Sequence, residues 1–394
     1  MNLCLFIQFK CRTVIFFLLF VNIIVGCSCN NHGRRDEFVS VPVKGDSVVV
    51  KISYPEVGNK NDKIVIWNTS TLTDEFCPDS MPTGPMGKVD INIKSMLRDS
   101  LLKNGYINIE YLERNDSIVT AGYKFRTSDT YTKFEDFESV LGYIDSRREL
   151  KKKNIILIGH SEGGNINAMA AAKHPEVIYA IVQLTTCAID GKENSEYQGH
   201  TNDSLFMRNY FFIPDIYKTA NKISSLKTHS YELSMEGCRQ FRLDILSPLD
   251  SIVYHYNNRD TIANQIVLYL QSRWEREDDK TKQFHGNFEN YCKANNILSV
   301  LSPQQIALKK WQPELYYPYI KCPVLAVYGT KDERIEWSSS KKAMEAYLNQ
   351  GGNTHYKFIV LEGYGHWLTK MEKPRSYYIE DFVINEIVDS IKQL

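Results

Sequence analysis

The stretch Asn154-Ile-Ile-Leu-Ile-Gly-His-Ser-Glu-Gly-Gly-Asn165 constrains this chain more than any other. Asn154 to Ile158 is a short apolar run, the pattern of a strand buried on both faces. Residues 166–173 are rich in alanine and read as a helix that closes before Pro175. A strand covered on both faces needs a layer on each side, so the chain must supply more strands and more helices. Between strand and helix stands Gly159-x-Ser161-x-Gly163. A serine on so sharp a turn adopts a strained backbone, and flanking glycines let neighbouring segments approach where a Cβ would collide.

The remaining elements answer that demand. Val41 to Tyr54 is β-rich, and Lys63 to Trp67 is a second buried run. A loop with Pro78, Pro82, Gly84, Pro85 and Gly87 follows. Ile93, Met96, Leu97, Leu101 and Leu102 then recur at helical spacing, with Gly105 as the stop. Tyr106 to Leu112 alternates as a strand, Phe134 to Ile144 is an amphipathic helix, and Tyr179 to Leu184 is another strand. Strands that alternate with helices are joined by crossovers, so the sheet is mostly parallel with helices on both faces.

From Thr186 to Tyr316 the strand rhythm stops, and helical patterns such as Ile262, Ile266, Leu270 and Trp274 take over. This region reads as an inserted, mainly helical subdomain. Tyr210, Phe211, Phe212, Trp274, Trp311, Tyr316 and Tyr317 are its candidate pocket walls, although residues of this type are more often core than wall. The α/β rhythm returns with Pro323 to Tyr328, a helix over 338–348, and Lys357 to Leu361. A last helix carries Ile379, Val383, Ile387 and Ile391 on one face.

The N-terminus reads as a targeting segment. Lys10 and Arg12 precede an apolar run of about 13 residues, the length of a signal-peptide core and short of the roughly 20 that span a bilayer. The run ends in Ile24-Val25-Gly26-Cys27, which resembles a bacterial lipobox and implies lipid attachment at Cys27. A plain secretory signal is the alternative. The expected divisions are a signal peptide at 1–26, a polar tether at 27–40, core at 41–185, helical cap at 186–316 and core at 317–394. The expected location is the bacterial cell envelope, with the membrane reached through the anchor. The basic and acidic side chains balance at 47 each, which excludes a protein held to nucleic acid by bulk charge. The scattered cysteines form no zinc pattern, and no metal, nucleotide or flavin signature appears, so no cofactor is expected.

A serine nucleophile needs a base, and the base needs an orienting acid. In an open parallel sheet both belong after the C-terminal ends of later strands. Asp332 follows the strand ending at Tyr328, and His366 follows the strand ending at Leu361. Asp190, after the Tyr179 to Leu184 strand, is a rival acid, whereas His355 precedes its strand at the wrong end of the sheet. Glu333 and Glu362 read as solvated neighbours, and His160 as structural.

With these motifs the chain resembles the α/β-hydrolases from about residue 41 to its end, and in particular the serine esterases with a helical cap. Gly159-His160-Ser161-Glu162-Gly163-Gly164 and Cys322-Pro323-Val324-Leu325 through Gly329-Thr330-Lys331-Asp332 carry the resemblance. It implies nucleophile Ser161, acid Asp332 and base His366, with the backbone N–H of Glu162 as first oxyanion donor. Many relatives place His-Gly where this chain has Trp67-Asn68-Thr69-Ser70-Thr71, so the second donor is expected from Thr69 or Ser70, a segment that also reads as a hydroxyl-rich turn. The implied partner is a small ester; an amide, as for an aminopeptidase, an acyltransferase substrate, and a non-catalytic surface-binding lipoprotein on the same scaffold are the alternatives.

Overall fold

The structure is a computed structural model, and it describes residues 30–31, 34–55, 62–68, 93–114, 117–120, 123–126, 128–151, 154–201, 247–290, 302–371 and 379–394. The signal-peptide segment, Cys27, Thr69, Ser70 and the aromatic cluster Tyr210 to Phe212 lie outside them.

Among the described residues, nine strands form one sheet: β1 (Asn30–Asn31), β2 (Arg34–Val43), β3 (Asp46–Tyr54), β4 (Lys63–Asn68), β5 (Ile107–Tyr111), β8 (Asn154–His160), β9 (Ile178–Leu184), β10 (Val324–Gly329) and β11 (Tyr356–Leu361). Their order is β1-β2-β3-β5-β4-β8-β9-β10-β11, with β6 (Ser117–Thr120) and β7 (Tyr123–Arg126) pairing apart as a hairpin. Every pair from β5 to β11 is parallel, and β1, β2 and β3 add antiparallel at one edge.

The period of two in the buried strands explains the layering. On β8, Ile155 and Leu157 enter one core with Phe137, Ile166, Met344 and Leu348. Ile156 and Ile158 enter the opposite core with Leu97, Leu101, Ile384, Ile387 and Ile391. The helices α1 (Ile93–Lys103) and α10 (Asp381–Lys392) therefore cover one face, while α2 (Thr130–Ser146), α3 (Glu162–Lys173) and α9 (Trp337–Gln350) cover the other.

Between β9 and β10, the described residues contain α4 (Gly191–Thr201), α5 (Ser247–His255), α6 (Arg259–Arg276), α7 (Asp279–His285) and α8 (Pro303–Lys309), with no strand. Leu249, Val253, Ile262, Ile266, Leu270 and Ile306 form a separate apolar cluster there, and Trp274 packs against it.

The expected tether is the main correction. Arg34–Val43 is a strand, paired with β3 from Arg35↔Tyr54 to Val43↔Asp46. Its polar residues conceal the strand in the sequence because their partners lie elsewhere in the chain. Glu37 pairs with Arg147 at 2.7 Å, Asp36 with Lys51 at 3.4 Å, and Arg35 lies 4.6 Å over the ring of Tyr54. β1 covers only Arg34 and Arg35 of the outer side of β2, so from Asp36 onward this strand is an edge among the described residues, and charged residues there discourage further pairing.

Candidate active site

Parallel strands bring their C-terminal ends to one edge, and the site is built there. In register, Asn68 lies opposite Gly159, His160 opposite Leu184, and Gly329 opposite Leu361. Ser161, Thr185, Asp332 and His366 all follow these ends.

Ser161 has φ 55° and ψ −121°, a conformation that costs a non-glycine residue about 1–3 kcal/mol. The neighbourhood enforces it. A Cβ on Gly159 would come 2.5 Å from the Gly163 backbone, and one on Gly164 would come 2.0 Å from Thr186 Oγ1. Beneath the turn runs a buried polar network: Asn68 Nδ2 donates to Asn167 Oδ1 at 2.8 Å, Asn167 Nδ2 to Gln183 Oε1 at 3.2 Å, and Gln183 Nε2 to Gly164 O at 3.0 Å. The Ser161 side chain does not cap α3, so its hydroxyl is not tied to the helix N-terminus it stands above. Glu162 supplies the first amide of α3, at the positive end of the helix dipole.

Asp332 and His366 meet directly. His366 Nδ1 lies 3.0 Å and 3.1 Å from the two Asp332 carboxylate oxygens, so Nδ1 carries the hydrogen and Nε2 keeps its lone pair. Asp332 Oδ1 also accepts the backbone N–H groups of Arg334 at 2.8 Å and Ile335 at 2.9 Å. Burial pushes the Asp332 carboxyl up to about 7, against the pull of those two N–H groups. Burial pushes the His366 imidazole down to about 3, aided by the Arg334 charge and opposed by Glu333, so the ring is neutral near pH 7.

His160 and Thr185 join Ser161 to this pair. The His366 carbonyl accepts from His160 Nε2 and from Thr185 Oγ1, each at 3.0 Å, and the Ser161 N–H donates to Leu184 O at 2.9 Å. The His160 ring also stacks on Trp367, with centroids 4.9 Å apart. Among the described residues no hydrogen bond runs directly from Ser161 Oγ to His366. Asp190 instead accepts the Lys192 N–H at 2.7 Å, at the start of α4. Glu333 departs from its reading as a solvated residue. It is buried, and its carboxylate accepts the His366 N–H at 3.2 Å.

The side chain of Glu162 is the feature that sequence reasoning missed. It is buried and accepts from Thr130 Oγ1 at 2.7 Å, Lys133 Nζ at 2.7 Å and Gln304 Nε2 at 2.6 Å. Burial alone would lower the Lys133 pKa, yet Glu162 and Glu113 outweigh it and raise that pKa. Gln304 belongs to α8, so this carboxylate ties the inserted helices to the residue beside Ser161. Lys133 precedes Glu162 by 29 residues, and no periodicity in the sequence links them.

A cavity of about 130 Å³ adjoins Ser161 and Glu162, and Trp311 lines it. Tyr316 stacks on Trp311 at 5.0 Å, while Tyr317 is fully buried in the core and accepts a hydrogen bond from Gln183. Asn68, which begins an Asn-x-Ser triplet, is buried and accepts from Tyr111 Oη at 2.5 Å, so no glycan fits there.

Residues 116–370 match the family model described as the alpha/beta hydrolase fold. In structure the chain is similar to Est1E from Butyrivibrio proteoclasticus, at 12% identity and TM-score 0.44, covering 90% of this chain and 98% of that one. It is similar also to an esterase from Pyrococcus furiosus, at 12% identity and TM-score 0.49, over 91% of this chain and 90% of the other. For a proline iminopeptidase from Mycobacterium smegmatis the values are 12% and 0.46, over 91% and 98%. No curated protein matches the sequence.

Proposed function

As the chain belongs to the α/β-hydrolase family, we propose that it is a serine hydrolase that cleaves a carboxylic ester through an acyl-enzyme. The observation that carries this reading is the Asp332–His366 contact beside a strained, uncapped Ser161. Ser161 Oγ attacks the carbonyl carbon while His366 Nε2 takes its proton. The Glu162 N–H faces the developing oxyanion, and a second N–H from Thr69 or Ser70 completes the pair. Asp332 stabilises the imidazolium and fixes its tautomer. His366 then protonates the leaving alkoxide, and a water molecule, deprotonated by the same imidazole, releases the acid and restores Ser161.

The test is turnover of a panel of p-nitrophenyl esters and aminoacyl anilides by wild type and Ser161→Ala. Ester hydrolysis that disappears in the variant supports the reading. Anilide cleavage without ester cleavage would replace it with an amide hydrolase.

The reading extends to location: Cys27 anchors the enzyme at the cell envelope after removal of residues 1–26. A lipobox cysteine carries at least two acyl chains, which suffices for stable attachment where one chain binds only marginally. Wild type then partitions into the detergent phase of a Triton X-114 extraction and Cys27→Ser accumulates as an unlipidated precursor. A mature wild-type protein with an unmodified N-terminus overturns the anchor.

A further inference from the structure

The cavity beside Ser161 carries polar groups that have no hydrogen-bond partner among the described residues. Asn165 and Asn194 line it, are buried, and each has an amide oxygen with no hydrogen-bond partner. The Nε1–H of Trp311, also in the lining and buried, has no acceptor. Buried polar groups are ordinarily paired, and three unpaired ones around one cavity mark a place where a ligand completes the bonding.

The charges in the lining define what that ligand carries. Glu162 is neutralised by Lys133 at 2.7 Å, and Lys309 by Asp250 at 2.6 Å. Arg334 lines the same cavity, and its guanidinium has no ion-pair or hydrogen-bond partner among the described residues. Its backbone is fixed, with the N–H on Asp332 and the carbonyl accepting from Gln198 Nε2 at 2.8 Å. Arg334 is exposed, so its backbone fixes where the side chain starts, at the cavity lining, while the guanidinium charge has no ion-pair partner among the described residues.

We infer that this cavity binds the carboxylate of a small anionic ester, with Arg334 as the specificity-determining residue. The inference rests on the hydrolase reading above. A guanidinium presents a planar fork that matches a carboxylate through two parallel hydrogen bonds. A single surplus positive charge balances one carboxylate, whereas a phosphate monoester would leave negative charge uncompensated. The asparagine amides and the Trp311 N–H then serve the polar atoms next to the carboxylate. At about 130 Å³ the cavity is close to the roughly 150 Å³ that holds one benzene-sized group, so the anionic portion is short. An aminoacyl group fits poorly, since the one carboxylate in the lining, Glu162, is already saturated.

Two isosteric pairs test this, with the charge placed in either half of the ester. Ethyl hydrogen succinate is compared with ethyl levulinate, and O-acetylglycolate with acetoxyacetone. At a pH well above neutral, wild type should show kcat/KM at least tenfold higher for the anion in one pair, and the preference should shrink with added salt. Arg334→Gln should bring the anion-to-neutral ratio to about one, each ratio being taken within the same variant. Binding of the same four compounds to Ser161→Ala, by calorimetry, gives the preference without any turnover. Equal or weaker binding of both anions in Ser161→Ala overturns the anionic subsite, even if ester hydrolysis is confirmed. Absence of hydrolysis together with anion binding that Arg334→Gln removes would instead sink the hydrolase reading and leave the subsite standing.

Discussion

Replacing Glu162 by alanine removes a carboxylate that satisfies three donors and leaves the Lys133 ammonium buried. The two side chains are only 1% and 2% exposed, so water does not take over the lost contact. Breaking a buried pair on one side typically costs about 3–5 kcal/mol. Here Lys133 keeps Glu113 at 3.0 Å, and that carboxylate is 20% exposed. The expected cost of Glu162→Ala is therefore lower, about 2–4 kcal/mol. Glu162→Gln keeps the shape and an acceptor for Thr130 but loses the charge, and should cost about 1–3 kcal/mol. Combining Glu162→Leu with Lys133→Met removes both charges, so the pair should cost at least about 1 kcal/mol less than its two single changes added. Urea unfolding followed by tryptophan fluorescence reads these differences. A Glu162→Ala cost under about 0.5 kcal/mol, or strict additivity in the double variant, refutes the claim that this carboxylate holds α2, α3 and α8 together.

The remaining expectations concern the turn and the titrating pair. Gly159→Ala forces a Cβ to 2.5 Å from the Gly163 backbone, which cannot give way as a side chain could; folded yield or thermal midpoint should fall, and an unchanged midpoint with full activity contradicts the packing. Asp332→Asn should lower kcat about 10⁴-fold, as for other triad acids, with the thermal midpoint as the control for folding. Burial places the Asp332 carboxyl up at about 7, and once protonated it no longer stabilises an imidazolium. Ester kcat/KM should accordingly fall about tenfold per pH unit below that value, in a limb that belongs to the Asp332–His366 pair as a unit. The Arg334 charge lowers the pKa of both partners, so Arg334→Met should move the limb to higher pH, and a shift to lower pH contradicts the assigned electrostatics.

The core of the fold was legible because its strands are buried on both faces and so are written as unbroken apolar runs. Asn154–His160 and Val324–Gly329 fall within a residue or two of where the sequence puts them. The strand at 34–43 was not legible, because it opens on the unbroken charged run Arg34 to Glu37, whose acidic members pair with Lys51 and Arg147 elsewhere in the chain. The loops that carry Ser161, Asp332 and His366 could be read from the G-x-S-x-G turn and the strand order together, since topology decides which loops reach the sheet edge. Their support could not. Glu162 with Lys133, Glu333 under the His366 N–H, and Asn68 with Asn167 and Gln183 are long-range polar pairings that leave no period in the sequence. The aromatic residues divide for the same reason: Trp311 lines the cavity, Tyr317 fills the core, and their residue type does not distinguish them.

The central claim is that Ser161 is a nucleophile made reactive by His366. Incubation with a fluorophosphonate, followed by proteolysis and mass spectrometry, tests it most directly. The account predicts one phosphonylated serine, Ser161, in wild type, no adduct in Ser161→Ala, and labelling slowed at least about a thousandfold in His366→Ala. An unlabelled Ser161 in folded wild type, or equal labelling rates in wild type and His366→Ala, would contradict it.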